Sequence, residues 1–513
     1  MELTIEQQAR LIDKLAVTLE QRFSACVTRI ETHISVILLV ADKAFKIKKP
    51  VNFGFLDFST LQKRHFYCEE ELRLNSRLVP DLYQSVVAIY GTAEQPALEA
   101  AGDAIEYMVQ MQRFDQDGLL DRMIRKSALD AQQMDQLADR LAAFHLEIPA
   151  ATDLDQPGKP ADTEFAAIQN FEQIRPLLDQ VINADSQKLQ QLEDWTRQQC
   201  KELQPLMQQR KAEGFIRECH GDMHLGNIAL IDSEITIFDG IEFNDSFRWI
   251  DVMSELAFLL MDLDSHDRAD FAARVLNRYL EHTGDYAGLQ LLHFYQVYRA
   301  MVRAKVSALR LGQADVEADE RQQLSQAFNH LIELAAGYIQ QQAEFLAITH
   351  GLSGSGKSYV SAILCEQQQA VRIRSDVERK RLYPKTEQRY SREATIATYQ
   401  RLLKLGGLLL NSGYNVILDA TYLRQQERQD AQQLAKHHNV PYYIIDLQSP
   451  TEVLEQRIRA RATDSSEPSE ATLDVLHMQI DKQEPLDSDE QDDALVITPD
   501  TDVAKLFETS FKK

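Results

Sequence analysis

The sequence predicts two domains: an α+β domain with a small sheet-containing lobe and a helical lobe, followed by an α/β domain built on a parallel sheet. The first observation is a glycine-rich loop at residues 351–358, which follows a short apolar run and matches a phosphate-binding pattern. The second is the alternation of apolar and helical segments beyond residue 344, which is typical of βαβ units. The third is the long stretch before the loop, which needs a hydrophobic core of its own.

The composition is that of an ordinary globular protein, with 44% hydrophobic and 26% charged residues. The net charge of −24, from 79 acidic and 55 basic side chains, argues against loose binding to nucleic acids or anionic membranes. The five cysteines are scattered without a C-x-x-C pair, and the charged N-terminal segment lacks the apolar core of a signal peptide. We therefore expect a cytoplasmic protein without nucleic acid or membrane partners, and leave its oligomeric state open.

Hydrophobic periodicity predicts a small sheet with one helix in the N-terminal part, and long helices from about residue 119 onward. The predicted elements are a helix over 3–20, two strands within 34–51, a helix over about 60–78, strands over 85–90 and 105–111, and helical stretches near 130–146, 163–210, 248–281 and 286–311. In the second domain the strands are expected at 345–348, 370–373, 415–418, 442–446 and 494–497.

One stretch of strands and turns, residues 215–243, interrupts the helical half. Two alternating segments in it flank Asp232-Ser233, which predicts a hairpin with a two-residue turn. In that register Asn227 lies beside Asp239 at the open end of the hairpin, with Asp222 on the loop before it. Such an oxygen cluster suits Mg²⁺, although these side chains could instead only satisfy N–H groups of the turn.

The segment HGDMHLGN, residues 220–227, resembles the catalytic loop of the aminoglycoside phosphotransferase and choline kinase group, relatives of the protein kinases. The resemblance spans roughly residues 25–310 and implies a protein kinase-like fold that transfers a phosphoryl group from ATP, with Mg²⁺, to a hydroxyl. It is carried by further segments in the family's order: AFKIKK at 44–49, EELRLNSRL at 70–78, the hinge-like YMVQMQRF at 107–114, LADRLAAFH at 137–145 and IFDG at 237–240.

Carried onto matching positions, the resemblance implies that Asp222 orients and deprotonates the acceptor hydroxyl, and that Asn227 and Asp239 hold Mg²⁺. Where the family often has Asp-Leu-Ala after the metal aspartate, this chain has Glu255-Leu256-Ala257. No glycine-rich motif precedes the lysine strand.

The same resemblance implies that Lys46 pairs with Glu71 and contacts the phosphates of ATP. Lys48 lies on the same face of the predicted strand and is an alternative anchor. His220 is expected to brace the catalytic loop, and His145 to be a structural residue of the core.

The loop GLSGSGKS fits G-x-x-x-x-G-K-[ST], in which backbone N–H groups surround phosphate oxygens. Lys357 would reach the β- and γ-phosphates and Ser358 would hold Mg²⁺. The predicted nucleotide-binding residues of this loop are Gly351, Ser353, Gly354, Ser355, Gly356, Lys357 and Ser358.

Residues 374–382, RSDVERKRL, resemble the segment after the second strand of zeta toxin, polynucleotide kinase and gluconate kinase-like enzymes. This resemblance implies that Asp376 is the base, with helix capping as the alternative, and that Asp419 on a Walker B-like strand binds Mg²⁺. A segment resembling the lid of those kinases carries Arg457 and Arg461, which would neutralise phosphate charge unless they only form surface ion pairs.

These inferences predict an ATP- and Mg²⁺-dependent kinase with two nucleotide sites and small-molecule acceptors bearing a hydroxyl. Basic residues crowd 372–392, which favours an anionic or phosphorylated acceptor unless they only form a solvated helix face. Alternatives are an ATPase switch in the P-loop half, a kinase of nucleic acid 5′-hydroxyl ends, and an inactive scaffold. The predicted domains are 1–335, with an N-lobe at about 25–110, a C-lobe at about 111–311 and a linker helix at about 313–342, and 344–513.

Overall fold

A computed structural model describes residues 3–99, 102–151, 157–340, 342–385, 389, 391–461 (backbone only at 461) and 472–511. The strands are β1 (Thr28–Glu31), β2 (Ser35–Val40), β3 (Lys43–Lys48), β4 (Tyr83–Gly91), β5 (Pro96–Ala97), β6 (Glu106–Gln112), β7 (Ile216–Glu218), β8 (Ile228–Ile231), β9 (Glu234–Ile237), β10 (Trp249–Asp251), β11 (Leu346–His350), β12 (Val371–Arg374), β13 (Val416–Asp419), β14 (Tyr442–Leu447) and β15 (Ala494–Ile497).

The helices are α1 (Ile5–Phe23), α2 (Leu61–Asn75), α3 (Leu120–Arg125), α4 (Ala131–Glu147), α5 (Pro160–Ile174), α6 (Ser186–Ala212), α7 (Asp245–Arg248), α8 (Val252–Asp264), α9 (Ala269–Thr283), α10 (Leu289–Leu311), α11 (Ala318–Tyr338), α12 (Lys357–Gln368), α13 (Ser375–Leu382), α14 (Arg392–Asn411), α15 (Gln425–His438), α16 (Thr451–Arg461), α17 (Leu473–Lys482), α18 (Ser488–Asp492) and α19 (Val503–Ser510). Among the described residues, no helix is both long enough and apolar enough to span a membrane.

The chain forms two compact units. The first comprises Met1–Gln136, Phe144–Ala167 and Cys200–Asp262, and the second comprises Leu137–Ala143, Ile168–Gln199 and Leu263–Lys513. In the first unit an antiparallel sheet has the strand order β1-β2-β3-β6-β4-β5. Helix α1 begins with a capping box at Thr4, and its stripe of leucines packs with β2 and β3 in one buried core. The predicted small sheet is confirmed, and β1 and β5 are strands that the sequence analysis did not predict.

The interrupting stretch forms the predicted hairpin of β8 and β9, in which Ile231 faces Glu234. Its turn residues Asp232 and Ser233 both have positive φ, 50° and 69°, as a tight two-residue turn between twisted strands requires. The N–H of Phe238 donates to the carbonyl of Asn227 at 3.0 Å. The hairpin therefore places the backbone of Asn227 beside that of Phe238, the residue before Asp239.

Two of the long helices predicted from the sequence are wrong, because each is two helices. The stretch 163–210 is divided by a 3-10 turn that contains Pro176, whose missing N–H cannot continue an α-helical ladder. The stretch 248–281 is divided after α8, where Asp267 adopts a left-handed φ of 58° that ends the helical path.

The second unit contains a parallel sheet of strand order β12-β13-β11-β14-β15. Every strand predicted for the second domain is present, within two residues at either end. Apolar residues of β11, β13 and β14 form a buried core with α12 and α19. Because the strands are parallel, their carboxyl ends share one edge of the sheet, where ligands bind in folds of this class.

The edge strand β12 is covered in part by a side chain of α9. Asn277 donates to the carbonyl of Ala370 at 2.9 Å and accepts from the N–H of Arg372 at 2.7 Å. Its amide thus satisfies two backbone groups that a neighbouring strand would otherwise pair with. Helix α9 is therefore part of the second unit's packing against this strand.

A carboxylic acid at the end of α8 gives the second unit a pH-dependent stability. Asp264 accepts a hydrogen bond from the Tyr338 hydroxyl at 2.6 Å, and burial nevertheless raises the pKa of Asp264 from 3.8 to about 7. The folded protein therefore holds this proton more tightly than the unfolded chain. Stability must fall as the pH rises between those two values and then level off, by up to about 4 kcal/mol.

Replacing Asp264 with asparagine should remove that slope. Urea unfolding at about pH 5 and about pH 8 measures it, and we expect the variant to gain stability relative to wild type at the higher pH. Equal pH slopes in the two proteins would contradict the assignment.

Candidate active site

The catalytic-loop segment of the first unit is fixed by a buried carboxylate. Glu255 on α8 accepts the N–H of His220 at 3.0 Å and that of Gly221 at 2.6 Å, and its Oε1 lies 3.1 Å from Nε2 of His145. The His220 ring contacts the carbonyl of Phe238 at 2.7 Å. His220 thus holds the loop in place through Phe238. His145 is a buried residue next to Glu255, and both arrangements agree with the sequence analysis. Glu255 stands where the resemblance leads one to expect aspartate, and its carboxylate still accepts from the N–H groups of the loop.

Asp222 and Asn227 lie together on this loop. The side-chain nitrogen of Asn227 donates to the Asp222 carboxylate and to its backbone carbonyl, both at 3.0 Å. This orientation leaves the Asn227 oxygen as the atom that a cation would use. A further neighbour is His224, whose Nε2 is 3.3 Å from the Asp222 carboxylate. Because the Asp222 side chain is 37% exposed, an acceptor hydroxyl can approach it.

Asp239 adopts a left-handed backbone with φ of 63°, a conformation that costs a residue with a Cβ on the order of 1 kcal/mol or more. Two side chains hold it there: the Asp239 N–H donates to the Tyr83 hydroxyl at 3.1 Å, and the next N–H, of Gly240, donates to Asn75 at 2.8 Å. The Asp239 carboxylate is 44% exposed and lies 2.5 Å from Nζ of Lys46. The strained turn thus aims a carboxylate at the lysine.

Both candidate lysines contact Glu71. Nζ of Lys46 lies 2.8 Å from one Glu71 oxygen, and Nζ of Lys48 lies 2.5 Å from the other. Burial would lower the pKa of Lys46, but the carboxylates of Asp239 and Glu71 raise it well above its usual value. Burial likewise opposes ionisation of Glu71, yet the two lysines lower its pKa to about 2. The neighbouring carboxylates also raise the pKa of Lys48, so Lys46, Lys48 and Glu71 are all charged at neutral pH.

A second carboxylate separates the roles of the two lysines. Lys48 also forms an ion pair with Glu242, and its side chain is 1% exposed. Burial raises the pKa of Glu242 despite this lysine. Lys46 is more open, at 11%, and faces the candidate metal ligand. The sequence analysis missed Glu242, which is the second acidic residue of the segment FDGIEF, because nothing in that segment indicates its pairing with Lys48.

The donor set of this site fits Mg²⁺ and a phosphate chain. Asp222, Asn227 and Asp239 supply oxygen atoms, which Mg²⁺ prefers and supplements with water or phosphate oxygens. Lys46 already neutralises Asp239, so the pocket can hold cationic charge at this carboxylate. The assignment of each residue to metal or phosphate stays a prediction.

In the second unit, the P-loop connects β11 to α12. Gly351 has φ of 140°, and a Cβ there would lie 2.7 Å from the carbonyl of Leu447, so only glycine fits. Gly354 and Gly356 also have positive φ, 86° and 97°. Nζ of Lys357 curls back onto the loop and donates to the carbonyls of residues 351 and 352 at 3.0 and 2.8 Å. The loop thus has the tight path that a phosphate-binding loop needs.

Two side chains from other helices contact the loop backbone. The N–H of Ser353 donates to Gln479 of α17 at 2.9 Å. Arg457 of α16 donates to the carbonyls of Gly354 and Ser355, both at 3.2 Å. The buried Ser355 hydroxyl has no hydrogen-bond partner among the described atoms, which fits a ligand oxygen at this position. The Arg461 side chain lies outside the described residues.

Asp419 lies at the carboxyl end of β13, beside the loop. One of its oxygens accepts from the Thr349 hydroxyl at 3.3 Å and the other from the Ser361 hydroxyl at 2.9 Å. It lines the same cavity as Lys357 and Ser358. A buried carboxylate and a serine hydroxyl at the helix start fit a hydrated Mg²⁺.

Asp376 faces this cavity from the first turn of α13. Arg374 occupies the N-cap position of α13 and makes no side-chain capping hydrogen bond, so Asp376 lies in the first turn of the helix and is not its N-cap residue. Its carboxylate instead accepts from the N–H of Val377 at 2.9 Å and from Arg374 at 3.1 Å. The cavity encloses about 580 Å³, and its basic lining residues besides Lys357 are Arg379, Lys380, Arg389, Arg392, Arg424 and Lys482.

Comparisons with known proteins match two successive stretches of the chain to family models. Residues 68–292 match the family model described as "Phosphotransferase enzyme family", and residues 346–486 match the one described as "AAA domain". Among solved structures, the chain resembles amicoumacin kinase hAmiN, at 15% identity and a TM-score of 0.40 over 64% of this chain and 95% of that one. It also resembles a sugar kinase from Janibacter sp. HTCC2649, at 18% identity and a TM-score of 0.27 over 33% and 92%.

The chain is 32% identical to uncharacterized proteins of Mycobacterium tuberculosis and Mycobacterium bovis over 447 residues, which is 85% of this chain and 86% of each relative. The match to the phosphotransferase family covers Asp222, Asn227 and Asp239, and the second match covers the P-loop. The chain is thus an ATP-dependent phosphotransferase that belongs, together with these mycobacterial proteins, to a single family.

Proposed function

We propose that the chain has two phosphotransfer sites, each of which moves the γ-phosphoryl group of ATP to a hydroxyl of a small molecule. The observation that carries the proposal is the P-loop cavity, because Lys357, Asp376 and Asp419 all line it. Phosphoryl transfer needs a phosphate anchor, a metal ligand and a proton acceptor around one space. A pure ATPase switch needs no such acceptor carboxylate.

At the first site, Asp222 accepts the proton of the attacking hydroxyl while the oxygen forms its bond to the γ-phosphorus and ADP leaves. Asn227, through its hydrogen bond to the Asp222 carboxylate, holds the base in place. Lys46, held between Glu71 and Asp239, binds the phosphates. Mg²⁺, held by Asn227 and Asp239, would neutralise charge on the phosphate oxygens.

At the second site, Lys357 leaves its loop carbonyls to bind phosphate, and Arg457 holds the loop backbone in shape. Asp376 takes the proton of the acceptor hydroxyl. Ser358 and Asp419 would hold Mg²⁺, and Arg461 is proposed to neutralise the transferring group. The rate gain comes from positioning and from charge neutralisation.

The acceptor of the P-loop site is proposed to carry an anionic group besides its hydroxyl. Among the described residues that line the cavity, the basic ones outnumber the carboxylates, which are Asp376, Asp419 and Glu427. An ATP phosphate chain engages Lys357, whereas Arg379 and Arg389 line the cavity beside Asp376. A carboxylate or phosphate on the acceptor would complement this charge.

Transfer of labelled phosphate tests the two-site proposal. Wild type, Asp222→Asn and Lys357→Ala are incubated with γ-labelled ATP and a fractionated metabolite extract. We expect each variant to lose a different labelled product, and the product lost with Lys357→Ala to be one whose unphosphorylated form is already anionic. Variant proteins are matched by their urea unfolding midpoints.

Other outcomes point elsewhere. If Lys357→Ala abolishes only ATP hydrolysis, or weakens the product that depends on Asp222, the P-loop site is a regulatory ATPase. If labelled 5′-hydroxyl oligonucleotides are the better acceptors, the small-molecule assignment is wrong.

A further inference from the structure

Besides the amide of Asn277, helix α9 contacts β12 of the P-loop region through the carboxylate of Glu281. Glu281 accepts from Nη2 of Arg372 at 2.6 Å and from Nη1 of Arg374 at 3.4 Å. These side chains are largely buried, with exposed fractions of 15%, 11% and 8% in that order. Short hydrogen bonds between ionised groups are strong, so Glu281 holds Arg372 firmly and contacts Arg374 through a longer bond. Glu281 lies in the stretch that matches the phosphotransferase family.

Arg372 connects Glu281 to the predicted metal site. Its Nη1 donates to the carbonyl of Ser358 at 2.8 Å and to the hydroxyl of Ser361 at 3.1 Å. The Ser361 hydroxyl lies 2.9 Å from the Asp419 carboxylate. A hydroxyl has only one proton and a carboxylate only accepts, so Ser361 donates to Asp419 while its oxygen accepts from Arg372. Arg372 thus contacts the side chain that hydrogen-bonds to Asp419.

Arg374 connects the same glutamate to the predicted base. Its Nη2 donates to Asp376 at 3.1 Å, while its Nη1 contacts Glu281. One guanidinium therefore spans two carboxylates. A shift of Arg374 would move or release the Asp376 carboxylate, which lines the cavity.

We propose that Glu281 is a positioning residue for the P-loop site, acting through Arg372 on Asp419 and through Arg374 on Asp376. The inference rests on the proposed function of that site. Without the Glu281 carboxylate, Arg372 is a buried cation, and a remaining carboxylate whose charge acts on it is that of Asp419. The guanidinium would pair with Asp419 and withdraw it from metal binding.

Substitution of Glu281 by glutamine tests this, because it keeps the shape and removes the charge. We expect the Mg²⁺ concentration for half-maximal ATP binding to rise by roughly 10- to 100-fold, as for other groups that orient metal ligands. ATP binding without metal should be unchanged. Titration calorimetry of the full chain at graded Mg²⁺ measures both, with the P-loop signal defined as the part lost in Lys357→Ala.

Two variants sharpen the test. Glu366→Gln is the matched control, since Glu366 on α12 pairs with Arg274 of α9 at 2.7 Å and is a second ion pair between α9 and the P-loop region. Ser361→Ala removes the hydroxyl that bonds to Asp419 while the Glu281 ion pair stays intact, and should shift the Mg²⁺ dependence in the same direction even if Glu281→Gln fails to fold.

The outcomes are distinct. A Mg²⁺ shift in Glu281→Gln and Ser361→Ala, absent in Glu366→Gln, supports the inference. Equal Mg²⁺ dependence in all variants overturns it and leaves the proposed function intact. A wild-type chain without any Lys357-dependent ATP binding overturns the proposed function of this site together with the inference.

Discussion

Replacing Lys46 with methionine should lower turnover at the first site by roughly 10²- to 10³-fold, the effect of removing one preorganised donor to developing charge. Lys46 is the lysine that faces Asp239, so its ammonium can transfer from this carboxylate to a phosphate. Stability should change little, because Glu71 keeps Lys48 as a partner and the half-exposed Asp239 is solvated by water.

Steady-state phosphorylation of the acceptor identified with γ-labelled ATP measures this change, and urea unfolding serves as the control. A variant with full activity would show that Lys46 is not the phosphate anchor. A variant that loses activity only in proportion to its unfolded fraction would assign Lys46 a structural role.

Replacing the neighbouring Lys48 with methionine should instead destabilise the fold by about 3–5 kcal/mol, the usual cost of breaking a buried ion pair from one side. Lys48 is buried between Glu71 and Glu242. Glu71 retains Lys46, but within the part of the chain that the structure describes Lys48 is the lysine that forms an ion pair with Glu242, and burial already raises the pKa of Glu242. The variant must either bury a charge without a partner or protonate Glu242.

Urea unfolding of Lys48→Met beside Lys46→Met checks the contrast between the two lysines. The double variant Lys48→Met/Glu242→Gln should recover part of the loss, because it removes the unpaired carboxylate. If Lys46→Met proves the more destabilising single substitution, the division of roles between the lysines is reversed.

The sequence predicted the elements that depend on local patterns. The P-loop strand and helix, the hairpin turn at Asp232-Ser233 and the parallel strands follow from periodicity and turn chemistry, and the structure contains them. The breaks near Pro176 and Asp267 were not predicted, because apolar periodicity continues across them. Proline and left-handed residues end a helix without changing that pattern.

The site could be predicted only as far as its motifs reach. Asp222 and Lys357 lie within continuous sequence motifs, whereas Glu242 and Glu281 contact residues that are distant in the sequence. Glu242 lies 194 positions from its partner Lys48, and Glu281 lies 91 positions from Arg372. A single sequence contains no signal for such pairs, because charged residues at these spacings are common on solvated surfaces.

Asn277 of α9 hydrogen-bonds to the backbone beside and within β12, and this contact limits where the chain can be cut into fragments. A fragment that begins at residue 344 would lack Asn277, and the backbone groups of Ala370 and Arg372 that it satisfies would be left without that partner on an edge strand. Unprotected strand edges recruit strands from other molecules. We therefore expect a fragment without α9 to self-associate through β12. Asn277 lies about 70 positions before β11, the strand that precedes the P-loop.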